Sequence, residues 1–230
     1  MTAGITERFK LKERSCVCFA PCGEIKHIAV LCGWNMAELL PKLSEELPET
    51  LLFSAEADGG RDFTPWAAPA VWEGDPFSGE GQAYLSFLLE DALPNLFEKY
   101  GYFDVKDRLI AGYSLGGLFS LWASAESGAF GQAASLSGST WYPDFTAYFA
   151  VHLPDETKRF YLSLGDREPY GGPPVLRAVG VCTEKIYAIL LEKQRDVVFE
   201  WNRGGHGKGI ENRWRKALRW AANGWKGRKA

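Results

Sequence analysis

The chain has 230 residues, 46% of them hydrophobic and 24% charged, with a formal net charge of -3. That is the size and make-up of one globular domain with room for a full core, and the slight negative charge gives no electrostatic reason to expect a nucleic-acid partner. The opening Met-Thr-Ala-Gly-Ile-Thr-Glu-Arg has no apolar segment of the kind a secretory signal carries, and no uninterrupted apolar run is long enough to span a bilayer, so a cytoplasmic protein without a membrane partner is expected.

In chain order, Thr6–Lys12 and Ser15–Ala20 read as antiparallel strands, followed by a turn at Pro21-Cys22-Gly23. Ile28–Cys32 is a short apolar run closed by Gly33, the mark of a buried strand. A helix over Met36–Leu47 follows, with Leu39, Leu40, Leu43 and Leu47 at helical spacing, Asn35 as its N-cap and Pro41 shifting its start or kinking it. Thr50–Ser54 is the next strand. Glu56 to Glu80 is a long segment rich in Gly, Pro and aromatic residues; loops of this length are functional or disordered, and the aromatic content argues against disorder.

Gly81–Tyr100 is helical, with Tyr84, Leu85, Leu88, Leu89 and Leu96 on one stripe, and Pro94 breaks or bends it near its end. Then come a strand over Arg108–Tyr113, a helix over Leu115–Ser127 and strands over Gln132–Leu136 and Phe160–Leu164, the last ending at Gly165. A helix over Leu176–Lys193, a strand over Val197–Trp201 and a helix after Gly207 complete the chain. Tyr142–Arg159 leaves little room for a lid. With no repeat, low-complexity segment or linker, residues 1–230 are expected to form one α/β domain, a mostly parallel sheet with helices on both faces and a minimal cap. Sites in such sheets lie at the carboxyl ends of the strands.

Five cysteines, an odd number, occur at positions 16, 18, 22, 32 and 182. Cys16 and Cys18 alternate along an expected strand, and no paired Cys/His cluster completes a zinc site, so buried reduced thiols and no metal are expected. Basic residues crowd the last stretch: Arg213, Arg215, Lys216, Arg219, Lys226, Arg228 and Lys229. They read as a solvated helix face and a frayed tail.

The chemistry is concentrated around Gly112-Tyr113-Ser114-Leu115-Gly116, between an apolar strand and a helix. Gly-x-Ser-x-Gly in that context is the nucleophile elbow of α/β-hydrolases, against the blander reading of a turn made of small residues. The turn lifts the serine hydroxyl out of the sheet at a helix N-terminus, where free N–H groups can hold an oxyanion. A serine needs a base. Of three histidines, His27 precedes a strand, His152 lies in a connection before a strand, and His206 lies in the glycine-rich Asn202–Gly209 segment after the last strand, where the base of such a fold belongs. The third member follows the Phe160–Leu164 strand, where Glu168 is favoured and Asp166 is the alternative. Leu115 supplies one expected oxyanion amide; the other comes from Gly33, Trp34 or Asn35, with Trp34 preferred.

The order of motifs resembles the putative-esterase family of α/β-hydrolases, which includes esterase D, feruloyl and acetyl-xylan esterase domains and siderophore esterases. The matching pieces are Val30-Leu31-Cys32-Gly33-Trp34, Asp62-Phe63-Thr64-Pro65-Trp66, Tyr84-Leu85 with Leu93-Pro94, Gly112–Gly117, Ser137-Gly138-Ser139 with Trp141-Tyr142, Ser163–Glu168, and Phe199–Asn202 running into Gly205-His206. The resemblance implies Ser114 as nucleophile and His206 as base, and puts Glu168 near the acid position. After Glu168, Pro169-Tyr170-Gly171-Gly172-Pro173-Pro174 departs from the more polar continuation of small bacterial members.

The expected activity is therefore hydrolysis of a small-molecule carboxylic ester through an acyl-enzyme, with no cofactor. Acyl transfer or thioester hydrolysis would use the same triad, and a non-catalytic binding protein could keep the fold. Trp34, Phe63, Trp66, Trp72, Trp141 and Tyr142 are the expected pocket walls, and Gly33, Trp66, Trp141 and Tyr113 the substrate-binding candidates. The Trp-rich segment from Phe63 to Phe77 would serve equally as a homodimer contact.

Overall fold

Eight strands form one sheet in the order β1-β2-β4-β3-β5-β6-β7-β8 in the computed structural model, which describes residues 3–71 and 73–226. Trp72, Arg228 and Lys229 lie outside the described residues, and with them one expected pocket wall and part of the basic tail. The strands are β1 (Gly4–Leu11), β2 (Arg14–Pro21), β3 (His27–Cys32), β4 (Thr50–Ala55), β5 (Arg108–Tyr113), β6 (Gln132–Leu136), β7 (Arg159–Gly165) and β8 (Asp196–Asn202). β1 and β2 form a hairpin, β2 pairs antiparallel with β4, and β4, β3, β5, β6, β7 and β8 run parallel.

Successive parallel strands are therefore joined by crossovers, and period-2 alternation sends neighbouring residues to opposite faces. Along β3, Ile28 and Val30 face one core with Phe53, Ile110 and Phe119, while Ala29 and Leu31 face the other with Leu40, Leu43 and Trp214. The first core is covered by α3 (Gly81–Ser86), α4 (Leu93–Tyr100), α5 (Leu115–Ser127), α6 (Phe145–His152) and α8 (Val179–Glu192). The second is covered by α1 (Met36–Leu43) and α9 (Ile210–Lys226). Two single-turn helices complete the set, α2 (Gly59–Asp62) and α7 (Pro174–Arg177).

Several local expectations change. The helix expected over Met36–Leu47 ends at Leu43, two residues past Pro41, and continues as a 3-10 turn over Ser44–Glu46. Asn35 occupies the N-cap position but makes no side-chain cap, because its backbone is left-handed (φ 52°) and capping needs an extended one. Gly81–Tyr100 is helical throughout, yet Phe87–Ala92 is π-helical. Pro94 has no N–H to give Glu90, and the wider turns before it take up the proline ring instead of breaking the helix. The Tyr142–Arg159 connection contains α6, which the sequence reading did not anticipate.

The long Glu56–Glu80 segment is tied down at its start. Asp62 is buried and accepts two hydrogen bonds from Arg14 of β2, each 2.9 Å, and one from the Asp58 N–H at 2.8 Å. Thr64 accepts from the Gly79 N–H at 3.1 Å, which closes the loop on itself. Among the described residues no helix is long and apolar enough to cross a membrane.

Candidate active site

β5 delivers Ser114 to the carboxyl edge of the sheet, and the turn into α5 holds it at φ 60°, ψ -121°. That conformation is costly for a residue with a side chain, about 1–3 kcal/mol, and persists only where the surroundings enforce it. Here the Ser114 N–H donates to the Leu136 carbonyl at 3.0 Å, and its own carbonyl accepts from the Ser139 N–H at 3.0 Å. The flanking glycines are sterically required. A β-carbon at Gly112 would collide with the Gly116 carbonyl, and one at Gly116 with the Cys32 carbonyl of β3. Strand, elbow and helix approach this closely only because both positions lack a side chain.

The loop between β8 and α9 brings His206 to the serine. Ser114 Oγ lies 3.0 Å from His206 Nε2, and His206 Nδ1 lies 2.8 Å from Glu168 Oε2. Glu168 begins a 3-10 turn (Glu168–Tyr170) three residues past the end of β7 at Gly165. Its other oxygen, Oε1, accepts from the Gly165 N–H at 2.7 Å, the Ser137 hydroxyl at 2.8 Å and Arg213 Nη1 at 2.7 Å. Burial raises the pKa of this carboxyl, but the hydrogen bond and charge of His206, the Gly165 N–H and Arg213 outweigh it, and the group sits below the usual carboxylate range. Asp166, the alternative acid, instead accepts from the Gly204 N–H at 2.8 Å. It braces the histidine loop rather than the imidazole.

Arg213 changes its reading. It was grouped with a solvated basic face; the structure leaves it 1% exposed. Its Nη2 donates to the Gly205 carbonyl at 2.9 Å, and its Nη1 also reaches Ser137 Oγ and, at 3.3 Å, the Tyr113 hydroxyl. Tyr113 in turn donates to the His206 carbonyl. The available signal was helical spacing: Arg213 falls four residues before Ala217 and seven before Trp220, on the buried side of α9.

A cavity of about 290 Å³ opens at the serine, lined by Ser114, Ser139, Trp141, Leu176, Val179 and His206, with Arg167, Gly171 and Gly172 also on its wall. Of the four substrate-binding candidates, Trp141 lines it. Trp66 packs on Tyr142 and Tyr148, and its indole N–H donates to the Pro143 carbonyl at 3.1 Å. Tyr113, Phe63 and Tyr142 are buried. Gly33 and Trp34 border a different depression of about 680 Å³ beside β1 and β2, and the Trp34 side chain is 56% exposed. β3 pairs with β5 up to Cys32 and Gly112, so the chain leaves β3 where β5 approaches its elbow. Leu115, as the first residue of α5, has an N–H with no intrahelical acceptor. His27 starts β3 and stacks on Trp225, and His152 ends α6 and stacks on Tyr148. Leu176, Val179 and the Gly171-Gly172 wall were not anticipated: the two glycines lie in the segment where the sequence departs from the family pattern, and Leu176 and Val179 follow directly after it.

A mostly parallel sheet, a strained serine between its central strand and the following helix, and a histidine after its last strand define an α/β-hydrolase. The Putative esterase family model matches residues 42–219, more than half the chain and all three members of the Ser-His-Glu chain. The protein belongs to that family, and it is an ester-hydrolysing enzyme. No curated protein matches it significantly in sequence. Its fold is similar to that of an IroE-like serine hydrolase from Shewanella oneidensis, at 16% identity and a TM-score of 0.75, covering 94% of this chain and 79% of that one. It is similar to enterobactin hydrolase IroE in complex with DFP, at 18% identity and a TM-score of 0.73, covering 95% and 94% of the two chains. It is also similar to siderophore hydrolase EstA from Aspergillus nidulans, at 20% identity and a TM-score of 0.71, covering 96% and 94%.

Proposed function

We propose that the protein is a serine carboxylic-ester hydrolase that works through an acyl-enzyme on Ser114, with His206 as base and Glu168 as the acid. The observation that carries this reading is the unbroken chain from Ser114 Oγ to His206 Nε2, 3.0 Å, and from His206 Nδ1 to Glu168 Oε2, 2.8 Å. His206 takes the serine proton as Oγ attacks the ester carbonyl, and the Leu115 and Trp34 N–H groups hold the oxyanion. The imidazolium then gives its proton to the departing alkoxide. Water, activated by the same imidazole, releases the acid. Glu168 stays ionised throughout, which its low pKa supports.

The cavity of about 290 Å³ suits a small acyl group, with Trp141, Leu176 and Val179 as its apolar walls. Two of the similar structures are named as enterobactin or siderophore hydrolases, so siderophore-type esters belong beside short-chain acyl esters in the first screen. The five cysteines are free, which supports a reducing compartment such as the cytoplasm.

The test is labelling with a fluorophosphonate probe, read by mass spectrometry. We expect an adduct on Ser114 that is absent in Ser114→Ala and His206→Ala. A folded wild type that takes no adduct would overturn the reading.

A further inference from the structure

The acid of this site is not a lone carboxylate. Glu168 divides its two oxygens between two tasks: Oε2 faces His206, while Oε1 accepts from three donors, among them Arg213. The Arg213 guanidinium simultaneously grips the acid, the Gly205 carbonyl beside His206, and the Tyr113 hydroxyl that donates to the His206 carbonyl. Gly165 has no room for a side chain, since a β-carbon there would collide with the Gly204 carbonyl and lie 2.7 Å from Arg213 Nη2 and 2.8 Å from Glu168 Oε1.

We propose that Arg213 is a positioning residue for ester hydrolysis: its fixed charge, paired with Glu168, offsets the charge of the acid that faces His206, while the carboxylate is held in the rotamer that orients the imidazole. This rests on the reading of Ser114, His206 and Glu168 as the triad.

In the usual triad the buried acid carries a full negative charge that stabilises the imidazolium. Here two cations share one carboxylate once His206 is protonated. The other charged or titratable groups facing His206 do not restore the missing negative charge. Tyr113 from β5 presents a hydroxyl whose pKa burial has raised, so it is neutral. On the turn after β7, Arg167 adds a further cation to the cavity wall, and Asp166 is turned to the Gly204 N–H. The histidine's own loop adds no acidic residue, its charged members being Arg203 and Lys208. The Arg213 charge is thus the balancing partner of the acid, and its removal alters the charge that His206 faces. A residue serving stability alone would gain little here, because a buried ion pair is commonly no more stabilising than an apolar replacement.

The test is the rate of fluorophosphonate labelling at Ser114 as a function of pH. Arg213→Gln retains an amide donor for Glu168 and deletes the charge. Its acid limb should move up by about one to two pH units, because one unit charge at this range through protein is worth that much. Arg213→Lys, which retains the charge, should keep the limb within a few tenths of a unit while the plateau rate falls. A folded Arg213→Gln enzyme whose limb coincides with that of the wild type overturns the proposal, since a purely structural role lowers the active fraction without moving the limb. Should Arg213→Gln fail to fold, the paired variant Glu168→Gln with Arg213→Met strands no charge. Its limb should lie above that of Glu168→Gln, and coincidence of the two overturns the proposal. Failure of the triad reading looks different: the wild type itself would take no adduct on Ser114.

Discussion

Replacing Gly116 by alanine tests whether the elbow depends on close backbone approach. Gly116 is the second residue of α5, and a β-carbon there would press on the Cys32 carbonyl oxygen, lying 2.9 Å from its carbon and 3.2 Å from Cys32 Cβ. Cys32 ends a central strand and is buried, so nothing flexible can give way. Overpacking of this kind costs about 1–3 kcal/mol, and the clash is with backbone, which favours the upper half of that range. Alanine recovers about 1 kcal/mol of helix propensity over glycine. The net loss is about 1–2 kcal/mol, which for a chain of 230 residues lowers Tm by about 2–8 °C. The functional loss should be larger than the stability loss. Moving α5 away from β3 carries Ser114 off its 3.0 Å contact with His206, and a displacement near 1 Å costs about 100-fold in rate. Thermal unfolding and the fluorophosphonate labelling rate would both be measured, with Gly23→Ala as the control, because a β-carbon at Gly23 meets nothing within 4 Å. If Gly116→Ala unfolds at the control temperature and labels at the wild-type rate, the steric account of the motif is wrong.

Asp62→Asn should destabilise the fold by about 3 kcal/mol near neutral pH, because it strands the Arg14 guanidinium, and urea unfolding at several pH values would read it. Burial raises the Asp62 pKa, but Arg14, Arg61 and the Asp58 N–H outweigh it, so the folded pKa lies below the unfolded one. Its contribution is therefore fully present above the unfolded value of about 3.9 and is lost as pH falls through the folded one, so the gap between wild type and Asp62→Asn should close in acid. Trp141→Ala, at the cavity wall, should lower kcat/KM for short acyl esters about 10-fold and narrow the gap to longer ones. An unchanged chain-length profile would remove Trp141 from the acyl pocket.

The parallel strands β3 to β7 were legible because each is buried on both faces and therefore reads as an apolar run ending in small or polar residues, while β8, half-exposed at the sheet edge, was legible from its Val-Val-Phe run. Arg108–Tyr113 and Gln132–Leu136 have the expected bounds, and β7 and β8 are each one residue longer at either end. α6 was hidden for the opposite reason. Phe145–His152 is apolar nearly all round, so it shows no stripe, although only Phe145 and Phe149 are buried. Strand order was illegible for a different cause. Which strand lies beside which is decided by how crossovers pack, and so the placement of β3 between β4 and β5 left no mark in local pattern.

The site divides along the same line. Ser114 and His206 stand among glycines that backbone geometry demands, and such demands are written locally. Walls are not: an aromatic residue in a loop suits a pocket or a core equally, and Trp66, Phe63 and Tyr142 went to packing while Leu176 and Val179 reached the cavity. Arg213 is the sharpest case. As one of several cations near the end of the chain it looked solvated, and only the fold brings α9 across the carboxyl edge of β5, β6 and β7, where one guanidinium meets Tyr113, Ser137 and Glu168. Each of those residues comes from the end of a different strand. A charge among an apolar stripe is a local signal, but its partner is not, and the pairing decides whether such a charge is solvated or set against the acid that orients the base.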